Sequence, residues 1–534
     1  MRKIIFEIEG GEDVTVFAAD GDNVLELART ANVPIDAPCS GNGTCGKCLV
    51  KVQKNNTETE QLACQTVVTD DVKIIIPKSF ASNGDDSPCS VTSLSNEDGS
   101  PGSLTYGAAI DIGTTTVSAM LVDLKTGTVL AKKTVGNAQI SYGADVINRI
   151  IEQQKADGIK KLQNAIVVQT LLPLIESLCT ATGISRDKIK RLTVAANTTM
   201  NHLLLGVDAN SIRIEPYQPA FLEFEPQNPA SIGINLAPDA KMILAPNIGS
   251  YVGGDITAGV LAAKTPSGKN IWNRPEMTLL IDLGTNGEIV FGNEEFLMAC
   301  ACSAGPAFEG GDISCGMRAA SGAIEACCIN KDTLEPTLKI INDDKPSGLC
   351  GSGIIDVVAE LFRVGVIDGK GRFRKSCHEN RPPDNPGSYV LVYAENSATG
   401  KDISITETDI DNFIRAKGAI FSGIMSLLTP LGFTPADIDD VLIAGGIGSG
   451  INIKNAISIG MLPNLPEEKY SYIGNSALDG AYEMLISEEA EEKVTEIARN
   501  MTYIDLSTEP DYMNEFIAAC FLPHTNETLF PSMR

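Results

Sequence analysis

The spacing of apolar residues predicts two kinds of region in this chain. In the first 78 residues, short strand-like runs surround one amphipathic stretch, Asn23 to Ala31, whose apolar residues recur at helical spacing. The strand-like runs are Lys3 to Glu9, Val14 to Ala18, Cys48 to Val52 and Val72 to Ile76. A hairpin followed by a helix and further strands predicts a small α+β roll over residues 1–78.

Residues 79–103 interrupt this periodicity with a polar stretch dominated by Ser, Gly and Pro. Such a composition cannot bury enough apolar surface to order the chain. We therefore expect a flexible linker that lets the small domain move relative to the rest of the protein. A long surface loop is the alternative.

After the linker, apolar strands alternate with helical patterns, and one motif occurs twice. The sequence IDIGTT at residues 110–115 returns as IDLGTN at residues 281–286, 171 positions later. Each copy is followed by another apolar strand, Val117 to Val122 in the first copy and Glu288 to Phe291 in the second. A repeated unit of strand, turn and strand predicts a duplicated α/β domain over residues 104–534, with two related subdomains that face a common cleft.

The composition narrows the possible functions. The 534 residues include 42 Lys and Arg against 68 Asp and Glu, and the net charge of −26 argues against nucleic acid or an anionic membrane as the partner. Three histidines against 14 cysteines make serine–histidine hydrolases and histidine-ligated zinc enzymes poor fits. Neither a signal peptide nor a membrane-spanning apolar run is recognisable, so we expect a cytoplasmic protein with reduced thiols.

Four cysteines in the first domain have the spacing of a metal-cluster loop. Cys39, Cys45, Cys48 and Cys64 follow the pattern C-x5-C-x2-C-x15-C, with glycines at 41, 43 and 46. Those glycines let the backbone approach a cluster and direct N–H groups at its sulfurs. Three ligands on one loop favour a 2Fe-2S cluster over structural zinc, which is the alternative. The segment resembles a ferredoxin-type 2Fe-2S domain, which implies a ferredoxin-like (β-grasp) fold over residues 1–78.

The repeated motif suits the phosphates of a nucleotide. A carboxylate can join a Mg²⁺ shell, a glycine permits close approach, and hydroxyl and amide groups can bind phosphate oxygens. A third glycine turn follows the apolar strand Val441 to Ala444 and could face an adenosine. The pattern GxxxxGK[ST] does not occur, which excludes a P-loop. The candidate MgATP residues are Asp111, Gly113, Thr114, Thr115, Asp282, Gly284, Thr285, Asn286, Gly445, Gly446 and Gly448.

Together the three glycine elements resemble those of the acetate kinase, sugar kinase, Hsp70 and actin superfamily of ATPases. With the ferredoxin-type domain in front, the whole chain is similar to the reductive activators of corrinoid proteins. This resemblance implies a multi-domain protein whose large domain is a duplicated, actin-like ATPase. It implies that ATP drives an electron from the 2Fe-2S cluster to the Co(II) corrinoid of a partner protein in a methyltransferase system, which regenerates Co(I). A low-potential electron donor and a homodimer are implied as well.

Two further residues are candidates for chemistry, with ordinary structural roles as their alternatives. Asp255, in a glycine-rich turn, could position the attacking water or serve as a turn carboxylate. Ser303, in a loop of small residues, could contact cobalt or corrin, although a loop hydrogen bond is the favoured role. We expect His202 to be structural. Packing in the core is expected for seven further cysteines: Cys300, Cys302, Cys315, Cys327, Cys328, Cys350 and Cys377.

Three other functions share parts of this pattern. A small-molecule kinase would explain the ATPase domain but not the cysteine loop. An ATP-dependent activator of a radical dehydratase would couple ATP to electron transfer, but it usually holds its cluster within the ATPase dimer. A non-hydrolysing nucleotide and redox sensor would bind ATP without turnover.

Overall fold

The structure is a computed structural model, and it divides into two compact units. It describes all residues except 10, 32, 34, 36, 38–40, 42, 44–45, 55–56, 78–88, 92–104, 375–386, 448–449 and 534. The first unit contains residues 1–258 and 477–495, and the second contains residues 259–476 and 496–534.

The first unit begins with a five-stranded sheet and one helix. Its elements are β1 (Arg2–Ile8), β2 (Val14–Ala18), α1 (Val24–Thr30), β3 (Leu49–Lys54), β4 (Thr57–Leu62) and β5 (Val72–Ile76). The strand order is β2-β1-β5-β3-β4, with β1 and β5 parallel in the centre. This is the β-grasp arrangement that the sequence predicts. Strand β4 was not predicted, because its sequence TETEQL is polar and almost wholly exposed.

Helix α1 begins where the sequence predicts, because Asn23 caps it. The Asn23 side chain accepts hydrogen bonds from the backbone N–H groups of Leu25 and Glu26. Leu25 and Ala28 on the inner face of the helix are buried against Phe6 of the sheet. Burial of these side chains anchors the helix to the sheet.

A six-stranded sheet forms the centre of the rest of the first unit. Its strands are β6 (Ser90–Val91), β7 (Tyr106–Ile112), β8 (Thr116–Asp123), β9 (Thr128–Gly136), β10 (Ile189–Ala196) and β11 (Lys241–Leu244). They lie in the order β11-β10-β7-β8-β9-β6. Strand β6 falls inside the predicted linker, where Ser90 pairs with Lys132 of β9. This edge pairing uses backbone hydrogen bonds, which composition does not reveal; most of the other linker residues lie outside the described part of the chain.

Five helices accompany this sheet, and two of them join into one long apolar helix. The helices are α2 (Val146–Gln153), α3 (Gly158–Ile166), α4 (Leu172–Thr182), α5 (Thr198–Leu205) and α6 (Gly254–Ala262). Helices α3 and α4 are joined into one continuous helix by a π-helical turn at Val167–Leu171. In the described part of the chain, this helix alone is long and apolar enough to span a membrane, and half of its apolar window is buried inside the protein. Such a helix is typical of a protein core.

Five strands of the main sheet of the second unit repeat the topology of the six-stranded sheet in the first. Its strands are β12 (Thr278–Leu283), β13 (Gly287–Gly292), β14 (Leu297–Cys302), β15 (Ala323–Ile329), β16 (Pro336–Ile340), β17 (Gly348–Leu349), β18 (Ser388–Val392), β19 (Ile403–Thr406), β20 (Asp440–Ala444), β21 (Tyr470–Gly474) and β22 (Met501–Tyr503). The main sheet has the order β21-β20-β12-β13-β14-β22. In each main sheet, three consecutive strands form an antiparallel meander. Two further strands continue the sheet beside the first strand of the meander and run parallel to it. The predicted duplication is therefore present in the fold.

The helices that follow complete both units. They are α7 (Gly351–Arg363), α8 (Glu407–Leu428), α9 (Ile453–Ser458), α10 (Ser476–Ile486), α11 (Glu488–Asn500) and α12 (Tyr512–Ala519). Residues 477–495 of α10 and α11 belong to the first unit. Helix α8 runs through the core of the second unit and starts at a capping box formed by Thr406 and Asp409.

Candidate functional site

The structure describes two of the four predicted cluster ligands, Cys48 and Cys64, and their segments lie next to each other. Cys48 is buried just before β3, and Cys64 lies in a short helical turn after β4. The N–H of Ala63 donates to the carbonyl oxygen of Cys48 at 2.9 Å, which places the two cysteine segments side by side. Cys39 and Cys45 lie outside the described residues.

The backbone conformation of this loop requires its glycines. Gly41, Gly43 and Gly46 all have positive φ, between 68° and 87°. A Cβ on Gly41 would lie 3.7 Å from the Cβ of Cys64 and 3.2 Å from Leu25 Cδ2. The loop therefore folds tightly against Cys64, as a cluster cradle requires, and the residues present fit a 2Fe-2S group.

In the first unit, the predicted phosphate loop is the turn between β7 and β8. Asp111 is half-buried near the end of β7, and Thr114 and Thr115 are buried in the turn. A Cβ on Gly113 would lie 2.7 Å from the carbonyl oxygen of Thr116, so only glycine fits this turn. The four predicted residues therefore lie together.

Two residues that the sequence analysis missed hold this loop from behind. Asn137 donates from Nδ2 to the carbonyl oxygen of Gly113 at 2.9 Å, and its N–H donates to Thr115 at the same distance. Arg149, fully buried on α2, donates to the carbonyl oxygen of Thr114. A buried guanidinium among carbonyls and amides also places positive charge behind a loop proposed to receive phosphate. In the sequence, nothing distinguishes these residues from ordinary polar positions.

The start of α5 connects this loop to Asp255. Asn197 caps α5 and donates from Nδ2 to Thr114 Oγ1 at 3.2 Å. A Cβ on Gly253 would lie 2.6 Å from the Cα of Asn197, so the turn before Asp255 packs directly on this cap. Asp255 itself lies in the first turn of α6, half-buried, and not in the open turn that the sequence indicates. Its role in positioning water stays a prediction.

In the second unit, Asp282 and the glycine turn after β20 are in direct contact. Asp282 and Ala444 are register partners on the parallel strands β12 and β20. A Cβ on Gly445 would lie 2.7 Å from Asp282 Oδ1, and Gly445 has a φ of +92°. Burial raises the pKa of the Asp282 carboxyl to about 6. Asp282 and Gly445, predicted from the sequence as parts of one site, therefore lie side by side in the fold.

One of the remaining loop residues of this unit, Thr285, is held by a carboxylate that was not predicted. Thr285 donates from Oγ1 to Glu309 Oε1 at 2.8 Å, and the N–H of Gly284 donates to the carbonyl oxygen of Asn286 at 3.1 Å. Gly446 has open space around its Cα, so its backbone is accessible. Gly448 lies outside the described residues.

Ser303 and the cysteines near it have different environments. Ser303 is exposed, immediately after β14. Cys300 and Cys302 are buried and donate to backbone carbonyls of Gly423 and Gly287, respectively. Burial raises the pKa of both thiols well above the ordinary value, so these cysteines remain neutral and act in packing. Cys327 and Cys350 are also buried, Cys315 is partly buried, Cys328 is exposed, and Cys377 lies outside the described residues.

His202 is structural, as predicted. Its Nδ1 bonds to the carbonyl oxygen of Thr198 at 2.7 Å, and its Nε2 accepts from the N–H of Ala220 at 3.1 Å. Its ring stacks on Phe221 with centroids 4.3 Å apart. Burial lowers the pKa of this imidazole, so the neutral ring with both nitrogens bonded is the stable form.

Comparisons with known proteins agree with this arrangement. Family models match residues 7–69 as a "2Fe-2S iron-sulfur cluster binding domain", residues 106–266 as "RACo middle region" and residues 276–534 as "C-terminal domain of RACo the ASKHA domain". A solved structure, "Reductive activator for corrinoid,iron-sulfur protein", is 37% identical, covers 100% of both chains and has a TM-score of 0.73.

Two curated relatives cover most of the chain. The "Corrinoid activation enzyme RamQ" of Eubacterium limosum is 29% identical and covers 92% of this chain and 95% of its own length. The "[Co(II) methylated amine-specific corrinoid protein] reductase" of Methanosarcina barkeri is 22% identical and covers 77% of this chain and 76% of its own.

Fold and site therefore define a 2Fe-2S domain joined to a duplicated ATPase fold of the actin and sugar-kinase class. The chain belongs to the family of reductive activators of corrinoid proteins.

Proposed function

We propose that this protein is an ATP-dependent reductive activator, which passes one electron from a 2Fe-2S cluster to the Co(II) corrinoid of a partner protein and regenerates Co(I). The observation that carries the proposal is the combination, in one chain, of a 2Fe-2S cysteine loop with a duplicated acidic and glycine-turn unit. A kinase needs no cluster and a simple ferredoxin needs no nucleotide. Their combination indicates electron transfer that depends on ATP.

The chain's own residues have distinct tasks in this proposal. The thiolates of Cys39, Cys45, Cys48 and Cys64 would hold the cluster, which supplies one-electron chemistry. The carboxylates of Asp111 and Asp282 would join the Mg²⁺ shell, one from each unit. The turns of the two motifs and the loop at Gly445 and Gly446 would bind the phosphates and adenosine. Asp255 would position the attacking water, and Ser303 would contact the corrin.

ATP is needed because Co(II) reduction is uphill from a physiological donor. For one electron, about 1.4 kcal/mol corresponds to about 59 mV. A few kcal/mol of difference in partner binding between two conformations therefore moves the equilibrium by roughly 100–200 mV. Closure around the nucleotide would supply that difference.

The direct test mixes the protein with a chemical reductant and a Co(II) corrinoid protein and follows the absorbance of Co(I). We expect Co(I) to form with MgATP and not without it. Co(I) that appears equally without ATP, or never appears, contradicts the proposal. The control for the reductant is the same mixture without the activator.

Paired variants separate the two halves of the mechanism. Cys48→Ser should lose the visible spectrum of the cluster and all Co(I) formation while it keeps ATP binding; Cys89→Ser is the matched control. Asp282→Asn should keep the cluster spectrum and lose the response to ATP, and Asp332→Asn, an exposed position, is its control. A coloured Cys48→Ser protein would contradict the ligand assignment.

The partners follow from the same proposal. We propose a corrinoid protein of a methyltransferase system, a low-potential electron donor, a homodimer and a cytoplasmic location. Because the net charge is −26, docking surfaces on the partners should be neutral or basic. A phosphorylated metabolite in a substrate screen would instead favour a kinase, and ATP binding without hydrolysis would favour a sensor.

A further inference from the structure

Within the first unit, the 2Fe-2S domain contacts the polypeptide that supports the phosphate loop. Arg29, in the last turn of α1, donates from Nη2 to the carbonyl oxygen of Ser141. Its guanidinium lies over the ring of Tyr142, 5.1 Å from the centroid. Arg29 and Tyr142 are both more than 90% buried. We name this the docking contact.

Helix α1 joins the docking contact to the cysteine loop. Asn23 caps one end of α1 and donates from Nδ2 to the carbonyl oxygen of Cys64 at 2.8 Å. Arg29 lies near the other end, and the seven-residue helix is only about 10 Å long. A contact that fixes α1 therefore also fixes a predicted cluster ligand.

The other side of the docking contact leads to the phosphate loop. Ser141 and Tyr142 belong to segment 137–143, whose first residue, Asn137, bonds to the carbonyl oxygens of Gly113 and Thr115. The last residue of the segment, Gly143, accepts from Nε of Arg149 at 2.8 Å, and Arg149 also bonds to the loop carbonyl of Thr114. Both ends of the segment are thus tied to the phosphate loop.

Arg29 has few interactions within its own domain. Apart from the docking contact, its described partner is Glu26, which lies one turn earlier in α1, at 2.6 Å. Its Nε is buried and has no hydrogen-bond partner. An imperfectly satisfied guanidinium makes the docked arrangement only modestly favourable, which suits a contact that forms and breaks.

From these contacts we infer that Arg29 and Tyr142 form a nucleotide-dependent docking site for the 2Fe-2S domain. A nucleotide on the 113–115 loop orders that loop and, through Asn137 and Arg149, segment 137–143. Docking of Arg29 on an ordered segment then costs less conformational entropy, so the nucleotide and the docked domain stabilise each other. The inference rests on the proposed nucleotide site, and Arg29 acts as a positioning residue.

Thermodynamic reciprocity supplies the test. If nucleotide strengthens docking, loss of docking must weaken nucleotide binding by the same factor, which for typical coupling is about fivefold or more. The experiment titrates a non-hydrolysable ATP analogue with Mg²⁺ into full-length Arg29→Ala and Tyr142→Ala. We expect each to bind about fivefold more weakly than wild type, with no further loss in the double variant. Arg2→Ala is the matched control, because Arg2 pairs with Asp20 of its own domain.

Hydrogen exchange locates the effect. In wild type we expect the analogue to increase protection of peptides from segment 137–143 and from α1 together. In both variants we expect the increase in segment 137–143 alone. Equal affinity of Arg29→Ala and Arg2→Ala, or protection that increases in segment 137–143 of wild type but not in its α1, overturns the inference. An unchanged cluster spectrum establishes that each variant is folded. Failure of the wild type to bind the analogue contradicts the proposed nucleotide site instead, and failure to form Co(I) leaves this test unaffected.

Discussion

The close contact between Gly445 and Asp282 gives a sharp prediction for Gly445→Ala. The new methyl would lie 2.3 Å from the carbonyl oxygen of Leu283 and 2.7 Å from Asp282 Oδ1. Ordinary contact begins near 3.4 Å, so the methyl must gain about 1.1 Å from the Leu283 carbonyl oxygen and about 0.7 Å from the Asp282 carboxylate. The φ of +92° adds the cost of a left-handed alanine, about 1–2 kcal/mol.

The displacement acts on the proposed nucleotide site because the methyl overlaps both the Asp282 carboxylate and the backbone carbonyl that follows it. Overpacking of this kind costs about 1–3 kcal/mol in addition to the backbone term. If about 1.4 kcal/mol of this cost must be overcome to bring Asp282 into the position that binds nucleotide, the affinity for the MgATP analogue falls tenfold. We expect a loss of at least that size in a calorimetric titration.

Gly474→Ala is the matched control for backbone strain. Gly474 has a φ of +78°, and its carbonyl oxygen accepts from the N–H of Gly445 at 3.0 Å. Nothing lies within 4 Å of a Cβ at this position, so the control has the backbone cost without the collision. Both variants should lose thermal stability, and only Gly445→Ala should lose affinity. Equal affinity of the two variants would refute the argument.

Three further predictions concern other parts of the molecule. Gly41→Ala should reduce cluster retention in the visible spectrum, because its methyl would lie only 3.2 Å from Leu25 Cδ2 and would push the loop away from Cys64, a proposed ligand. Gly21→Ala, equally positive in φ but with open space, should retain the cluster. Because burial raises the pKa of Asp282 to about 6, the ionised carboxylate destabilises the fold at higher pH. Asp282→Asn should therefore raise the melting temperature at pH 8, and this gain should shrink as the pH falls through 6. Burial lowers the pKa of Lys417 to about 7, so above pH 7 the native state binds fewer protons than the unfolded state. The free energy of unfolding of the wild type, measured in denaturant, should therefore rise from pH 7 to 9 by up to about 1.4 kcal/mol per pH unit from this group. A Lys417→Met protein that keeps the same slope would contradict the assignment.

Local patterns in the sequence were sufficient for most of the apolar elements and for the type of chemistry, but not for the polar strand β4 or the edge strand β6. The repeat at Asp111 and Asp282 was recognisable because each copy needs an apolar strand, a carboxylate and a glycine turn in consecutive positions. The cysteine spacing and its glycines likewise follow from the geometry of one loop. Strands β2 and β5 have the predicted bounds, since alternation over a few residues reports one buried face.

Tertiary structure decided which distant residues support these loops. Asn137 and Arg149 bond to backbone carbonyls of the 113–115 loop, and the sequence does not show which side chain will bond to a distant carbonyl. The contact of Gly445 with Asp282 depends on parallel pairing of strands more than 150 residues apart. The contact of Arg29 with Tyr142 depends on packing between domains. Short-range patterning therefore determined what each segment is, and long-range packing determined what each segment touches.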